Sequence, residues 1–316
     1  MADRNAVLNA TIAKYVRDKV EPAYLQKTTL LNKFKEVGSM MMGQSGVDRR
    51  WPIRKTRNSN WAAFSPFSNL NVVALDNTAM AEIDWGSYNS NDFVPTKEIL
   101  QNGAGDSRLY DLLQDKTKAL TEDAGIDLHR ALWNDAGTGD TLTGFPTAVP
   151  NTNFTSKTYA GIAFTGNTWW QNYQVSGDSF NASNYRTDAL IAIEDAKLNC
   201  TFDSGPSWMV TTRTAFEYTA RLHSSNERYG AETTRKLGGT GLIVHDMEMF
   251  WDPDATSAIV YLINSAYIEM MFMTDSIFNV TVRDEVSPSG KLLYLESFPL
   301  LRIRQPRYFA AIGAAD

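Results

Sequence analysis

Residues 106–146 read DSRLYDLLQDKTKALTEDAGIDLHRALWNDAGTGDTLTGFP, and the arrangement of the whole chain turns on how this stretch folds. Asp106 or Ser107 can cap a helix start, because a short side-chain oxygen accepts from first-turn N–H groups. Leu109, Leu112, Leu113, Leu120, Ala124, Leu128, Ala131 and Leu132 then recur at three- and four-residue steps, which predicts a helix over 107–133. At about 1.5 Å per residue it would run roughly 40 Å, well past the usual three turns or so. Between the apolar positions stand Arg108, Asp111, Asp115, Lys116, Lys118, Glu122, Asp123, Asp127 and Arg130. A narrow apolar stripe under a wide charged surface describes a helix that lies on its own domain and faces solvent or another chain; an ordinary surface helix reads the same way. Gly, Thr and Pro at 137–146 stop it.

Upstream, residues 1–37 predict a polar helical arm, interrupted at Glu21-Pro22. It resumes with Leu25, Leu30, Leu31 and Phe34 and ends at Gly38. Too few of its positions are apolar to bury it alone, so it should lie against its own body or a neighbour. VDRRWPIRKTRNSNW then brings a basic cluster, Arg49, Arg50, Arg54, Lys55 and Arg57, against one acid, Asp48. Two strands are expected, about 47–57 and 78–86. The excursion between them is free of charge from 58 to 75 and dotted with Trp61, Phe64 and Phe67. A structureless loop of about twenty residues is uncommon within a compact domain, and exposed aromatics on it suggest a partner surface. Folding back on its own body is the alternative. Residues 87–105 read as turn material with a helical turn at Thr96–Leu100.

Downstream, 134–184 predicts turns and short strands around Trp169-Trp170, a pair more suited to anchoring than to stacking a ligand. A compact α/β lobe follows over 185–275. Its expected parts are helices at Tyr185–Asn199 and Arg213–Leu222, strands at 207–212, 242–244 and 258–263, a turn at Asp252-Pro253-Asp254, and an apolar run at Ala266–Met273. Residues 276–316 read as strands, with Arg302, Arg304 and Arg307 on an exposed face. These late strands would pair with those near 47–85 and make the lobe an insertion.

Catalytic chemistry is thin. The three histidines, His129, His223 and His245, show no HxxxH or HExxH spacing. His129 belongs to the charged helix and reads as solvated or salt-bridged. His245-Asp246 follows a strand, a respectable catalytic position, but no GxSxG elbow accompanies it. Gly238-Gly239-Thr240-Gly241 lacks the P-loop lysine. Asp252 and Asp254, with Asp246 nearby, could hold a cation, but the spacing completes no calcium loop, and a turn is the safer reading. Cys200, the sole cysteine, excludes an intrachain disulfide. The chain is expected to be no enzyme, with no cofactor and no metal.

Over 316 residues, 43% hydrophobic and 21% charged content describe an ordinary globular protein long enough for two lobes. A net charge of -6 gives no global attraction to nucleic acid or to an anionic membrane. The first twenty residues lack the apolar core of a secretion signal, and no stretch has the eighteen or so apolar residues of a bilayer span, so synthesis in the cell interior is expected.

The serial order of arm, two-stranded extended loop, long helix and α/β lobe resembles a tailed-bacteriophage major capsid protein of the Hong Kong 97-type fold. ALWNDAGTGDTLTGFP (131–146), TYAGIAFTGNTWWQN (158–172) and LESFPLLRIRQPRYFAAIG (295–313) resemble segments of that family. Each motif alone is weak; their order over nearly the whole chain makes the case. The resemblance implies an α+β fold: N-terminal arm at 1–46, extended β-hairpin loop at 47–86, peripheral domain at 87–184 with its spine helix at 107–133, axial domain at 185–275, and a return to the peripheral domain at 276–316. It implies hexamers and pentamers of one chain closing into an icosahedral shell around double-stranded DNA, contacted without sequence specificity. It also implies a separate scaffolding protein, a portal protein at one vertex, possible decoration proteins, no membrane, and a place in the virion capsid after assembly in the host cytoplasm. Some relatives weld neighbours by a Lys–Asn isopeptide bond; Asn58–Thr78 contains no lysine, so no such crosslink is expected. The expected assembly interface sets Arg49, Arg50, Arg54, Lys55, Arg57, Trp61, Phe64 and Phe67 of one copy over Asp111, Asp115, Glu122, Asp123 and Asp127 of the next. The competing classes are an encapsulin-like shell around enzyme cargo, and an enzyme whose pocket would join His245, Asp246 and Asp252.

Overall fold

The computed structural model describes residues 29–58, 60, 63, 75–102, 106–151, 154–175, 188–226, 241–255, 259–274, 279–286 and 289–313. Within these, 101–102, 106–113, 222–226, 241, 279 and 286 are described for the backbone only. Helix α1 (Thr29–Val37) opens the described chain and buries Leu30, Leu31 and Phe34 against its own body. Gly38, at φ 71°, ends it in the left-handed region that a Cβ disfavours. The end of the arm is thus docked on its own subunit; residues 1–28 lie outside the described residues.

Strand β1 (Met40–Gln44) leads into β2 (Asp48–Arg54) and β3 (Thr78–Asp84). The last two form an antiparallel two-stranded sheet with Arg50 opposite Glu82 and Arg54 opposite Thr78. β4 (Tyr88–Pro95) and helix α2 (Thr96–Asn102) then precede α3 (Asp106–Asn134), the long helix. Its 29 residues agree with the expected helix to within a residue at either end. A short helix, α4 (Phe145–Ala148), follows it. Small strands β5 (Thr158–Tyr159), β6 (Ile162–Ala163) and β7 (Tyr173–Val175) come next, and Trp170 is fully buried, stacked on Tyr159 at 5.9 Å.

The lobe contains α5 (Leu190–Cys200), β8 (Trp208–Thr211), α6 (Arg213–Asn226), β9 (Gly241–Val244), β10 (Met247–Trp251) and β11 (Val260–Ile263). The closing strands are β12 (Ile268–Met273), β13 (Asn279–Val286), β14 (Ser289–Ser297), β15 (Pro299–Ile303) and β16 (Ala310–Ile312).

Three larger sheets organise these parts. The six-stranded one runs β7-β16-β11-β8-β10-β9, so it draws strands from 173–175 and 310–312 as well as from the lobe. One face packs Met209, Val260, Leu262 and Ala310 on α5; the other packs Trp208, Val210, Phe250 and Tyr261 into the main core with Phe34 and Trp133. β12 sits in a second sheet, between β1 and β15. In the third, β14 lies between β13 and β4, and Leu293, Leu295 and Val94 meet Leu120 and Ala124 of α3.

Three expectations change, and a fourth is narrowed. Tyr88–Pro95, read as turn material, is a strand, and it is this segment that pairs with the late strand β14, from Tyr88 opposite Ser297 to Pro95 opposite Gly290. Met247–Trp251, read as a connector, is a strand parallel to β8. Arg302 is not on an exposed face: it is buried at 8% exposure, and its Nε donates to Glu269 at 2.7 Å. Of the two readings of His129, solvated or salt-bridged, the second holds, and the ring is fully buried.

Candidate functional site

The β2–β3 pair alternates strictly. Trp51, Ile53, Ala81 and Ile83 turn inward and are buried, while Arg50, Pro52, Arg54, Met80 and Glu82 turn outward. Period-2 geometry puts successive side chains on opposite faces, so a sequence alternating this way presents one anchoring face and one free face. The anchor is specific: Trp51 Nε1 donates to the Arg304 carbonyl at 3.0 Å, and the Glu82 amide donates to the Ala160 carbonyl at 3.0 Å. Beside this root lies an open concavity of about 540 Å³ lined by Trp51, Arg54, Tyr267, Arg304 and Tyr308.

The expected cationic row is not uniform. Arg50 donates to Asp48 at 2.7 Å and to Glu82 at 2.9 Å, so its charge is already met within its own strand pair. These H-bonds, Glu82 first, raise its pKa further. Lys55 holds Asp76 across the hairpin at 2.7 Å and lowers that carboxyl's pKa. Arg49 is half-buried, and its Nε has no hydrogen-bond partner among the described residues. Arg54, whose Nε donates to the Thr56 carbonyl at 3.3 Å, and Arg57 are exposed at the far end. Trp61, Phe64 and Phe67, with most of the excursion, lie outside the described residues.

On α3, Asp115 and Asp127 are exposed, and Glu122 and Asp123 are half-buried; the Asp111 side chain lies outside the described residues. Glu122 is 3.8 Å from Lys118 and Asp127 is 3.5 Å from Arg130, both at helical spacing. Exposed pairs of this kind contribute little stability, and their acids stay available to a stronger cation. Within one chain the structure does not bring the basic row and the acidic helix face into contact by any described ion pair.

The turn after α3 fixes that helix in place. Gly144 donates its amide to the Asp135 carbonyl at 2.9 Å, and a Cβ there would meet that oxygen at 2.6 Å and the Leu132 carbonyl at 2.9 Å. Only glycine fits so close a backbone approach. Phe145 then enters an aromatic cluster, 5.0 Å from Tyr261, 5.9 Å from Trp133 and 6.4 Å from Phe309. Tyr88 hydroxyl bonds the Asp135 carboxylate and receives the Leu142 amide; burial, then Asp135, raise its pKa. The Leu-Trp…Gly-Phe-Pro signature is therefore a joint between α3, β4 and the six-stranded sheet.

The catalytic arrangement is not assembled. His245 and Asp246 adopt φ of 48° and 64° as the two-residue turn between β9 and β10, a geometry hairpins favour and polar residues tolerate. Asp252 lies beyond the far end of β10, about 17 Å along the strand by its rise per residue. It instead meets His129. His129 Nε2 is 2.8 Å from Asp252 Oδ2, and its Nδ1 is 2.8 Å from Asp254 Oδ2. Asp246 takes no part. One ligand atom from each of His129, Asp252 and Asp254 lies within 4.8 Å of the others, as a cation site would need, but each carboxylate is already bonded to a different ring nitrogen, and an imidazolium there itself supplies the positive charge. A second ion cluster joins buried Arg302 and exposed Arg304 to the buried Glu269. Cys200 is buried, and burial pushes its thiol up to about 12, which makes it a packing residue.

These features, a two-stranded pair, a long helix packed on the β13-β14-β4 sheet and a lobe built on a six-stranded sheet, are those of the Hong Kong 97-type fold. The chain matches the cyanophage A-1(L) capsid with a TM-score of 0.69 at 14% identity, covering 94% of this chain and 95% of that one. It matches the capsid of the native GTA particle at 0.60 and 13% identity, covering 94% of each chain. It matches the SrpI encapsulin of Synechococcus elongatus PCC 7942 at 0.59 and 10% identity, covering 96% and 95%. No family model and no curated protein matches the sequence.

Proposed function

We propose that this chain is the major capsid protein of a tailed bacteriophage, a structural, non-enzymatic subunit that closes into an icosahedral shell of hexamers and pentamers around double-stranded DNA. The observation that carries the reading is the end-to-end likeness to the cyanophage capsid, 94% of one chain over 95% of the other. The partition proposed is an arm at 1–46, an extended loop at 47–86, a peripheral domain at 87–184 and 276–316, and an axial domain at 185–275. A separate scaffolding protein would serve during assembly in the host cytoplasm, a portal protein would occupy one vertex, and the outer surface would be open to decoration proteins.

The assembly contact follows from the split between the two faces of the hairpin root. Its inner face is committed to its own subunit. Its outer face, ending in Arg54 and Arg57, is complementary to Asp115, Glu122, Asp123 and Asp127 on the helix of a neighbouring copy. Complementary charge sets register and rejects wrong partners more than it supplies affinity, and closed symmetry multiplies many moderate contacts. Trp61, Phe64 and Phe67 would add apolar area to the same contact.

An encapsulin-like shell is the second reading, favoured by the SrpI match at nearly full coverage. Electron microscopy of the purified particle, with analysis of its contents, separates the two. Packaged double-stranded DNA and a portal vertex are expected; a shell around protein cargo without either would replace the phage reading, and a small oligomer in sedimentation would remove both.

A further inference from the structure

The triad His129, Asp252 and Asp254 joins parts of the chain that are 123 and 125 residues apart in sequence. His129 comes from α3, and the two acids from the turn after β10. The same turn reaches a third element. Asp252 Oδ2 accepts the Leu30 amide at 3.3 Å, at the first turn of α1, and Asp252 Oδ1 accepts the Asp254 amide at 3.0 Å. His129 and Asp252 are fully buried, and the Asp254 side chain is 11% exposed.

Geometry sets the protonation state. A neutral imidazole has one N–H and one lone pair. Here both nitrogens are 2.8 Å from a carboxylate oxygen, so either neutral tautomer would point a lone pair at an anion in a water-poor site. The doubly protonated ring satisfies both. The charges around it are few. Arg130, from the same helix, has its Nε 3.8 Å from Asp254 Oδ1. On α1 and β10, Lys33 is held by Glu248 and Glu36 at 2.8 Å each. Asp254 therefore keeps a permanent cation if the ring loses its proton, while Asp252 is left with backbone amides only.

We infer that His129, Asp252 and Asp254 form a proton-held clamp, in which the imidazolium pins the turn after β10, and through it the start of α1, onto the long helix, and alkaline pH releases that joint. Burial on its own lowers the His129 pKa, but the hydrogen bonds and charges of Asp252 and then Asp254 outweigh it and raise the value above 6.5. A raised folded-state pKa means stabilisation that is complete below 6.5 and is lost as pH climbs through the folded-state value. The inference concerns the folded chain and does not depend on the shell reading.

Two measurements on the full-length chain test it. Hydrogen exchange by mass spectrometry, corrected for intrinsic pH dependence, follows peptides covering 29–37 and 247–255 between about pH 6 and pH 9. Protection there should fall with a midpoint above 6.5, while the β13–β14 hairpin keeps its protection. Thermal melting over the same range should show a wild-type loss of about 2–4 °C that His129→Gln lacks. If His129→Gln does not fold, Asp254→Asn retains the Asp252 contact and should lower the midpoint. Unchanged protection at 29–37, identical pH profiles for wild type and His129→Gln, or an unmoved midpoint in Asp254→Asn would each overturn the clamp.

Discussion

In the six-stranded sheet, β8 and β11 are buried at every position, four residues out of four in each. In the β2–β3 pair burial alternates along Arg50–Arg54 and Met80–Asp84, and the exposed positions include the charged Arg50, Arg54, Glu82 and Asp84. A strand buried on both faces reads as a continuous apolar run, and its residues serve cohesion alone. A strand buried on one face divides its residues between cohesion and recognition. The lobe's sheet accordingly holds the subunit together, whereas the hairpin root offers half its side chains to something else. Glu269 belongs to the first kind of region. It lies on β12, opposite Arg302 on β15, and is 4% exposed. Glu269→Gln would leave Arg302 buried beside a neutral group, and breaking such a pair costs about 3–5 kcal/mol. Urea denaturation should show that loss. A variant as stable as the parent would mean that the cohesive region tolerates stranded charge as the hairpin's outer face does, and the contrast would fail.

The inner face of the hairpin should behave as core on a smaller scale. Ile53 is 6% exposed and packs with Trp51, Ala81 and Ile83. Ile53→Val removes one methylene, and about 0.5–1.5 kcal/mol should be lost in the same assay. No loss would show that the root is held by its neighbours and not by its own packing.

How far the sequence showed these regions depends on where each residue finds its partner. The alternation Trp51-Pro52-Ile53-Arg54 and the apolar run Trp208–Thr211 are local, so both strands were predictable. β4 was not. Tyr-Asn-Ser-Asn-Asp-Phe-Val-Pro is rich in residues that strands disfavour, and it is extended because β14 pairs with it along its whole length. β10 was hidden by the turn signal at Asp252-Pro253, which drew five strand residues into a connector. The long helix was legible from its three- and four-residue spacing, but not the burial of His129. Its two acids lie more than a hundred residues away, and a histidine among charged residues reads equally as solvated or as salt-bridged until they arrive. At the hairpin, the basic cluster was visible as composition. The pairing that removes Arg50 from it, with Glu82 directly opposite, is a matter of register.

That register decides how to test the outer face. Reversing Arg50 would set a carboxylate against Glu82 and Asp48, so failure to assemble would be confounded with a weakened hairpin. Arg54 and Arg57 avoid this. Arg54 faces Thr78 across the pair, and both arginines are exposed. The double variant Arg54→Glu/Arg57→Glu should therefore leave the subunit's stability within about 0.5 kcal/mol, as surface changes usually do. If the outer face meets the acidic side of a neighbour's α3, two attractions become repulsions at every copy of the contact, and particles should fail to form in sedimentation and negative-stain images. Adding Asp123→Lys/Asp127→Lys should restore them, because the charges would again be opposite. Normal particles from the double variant would mean that the outer face carries no recognition. Failure without rescue would mean that it recognises something other than this helix.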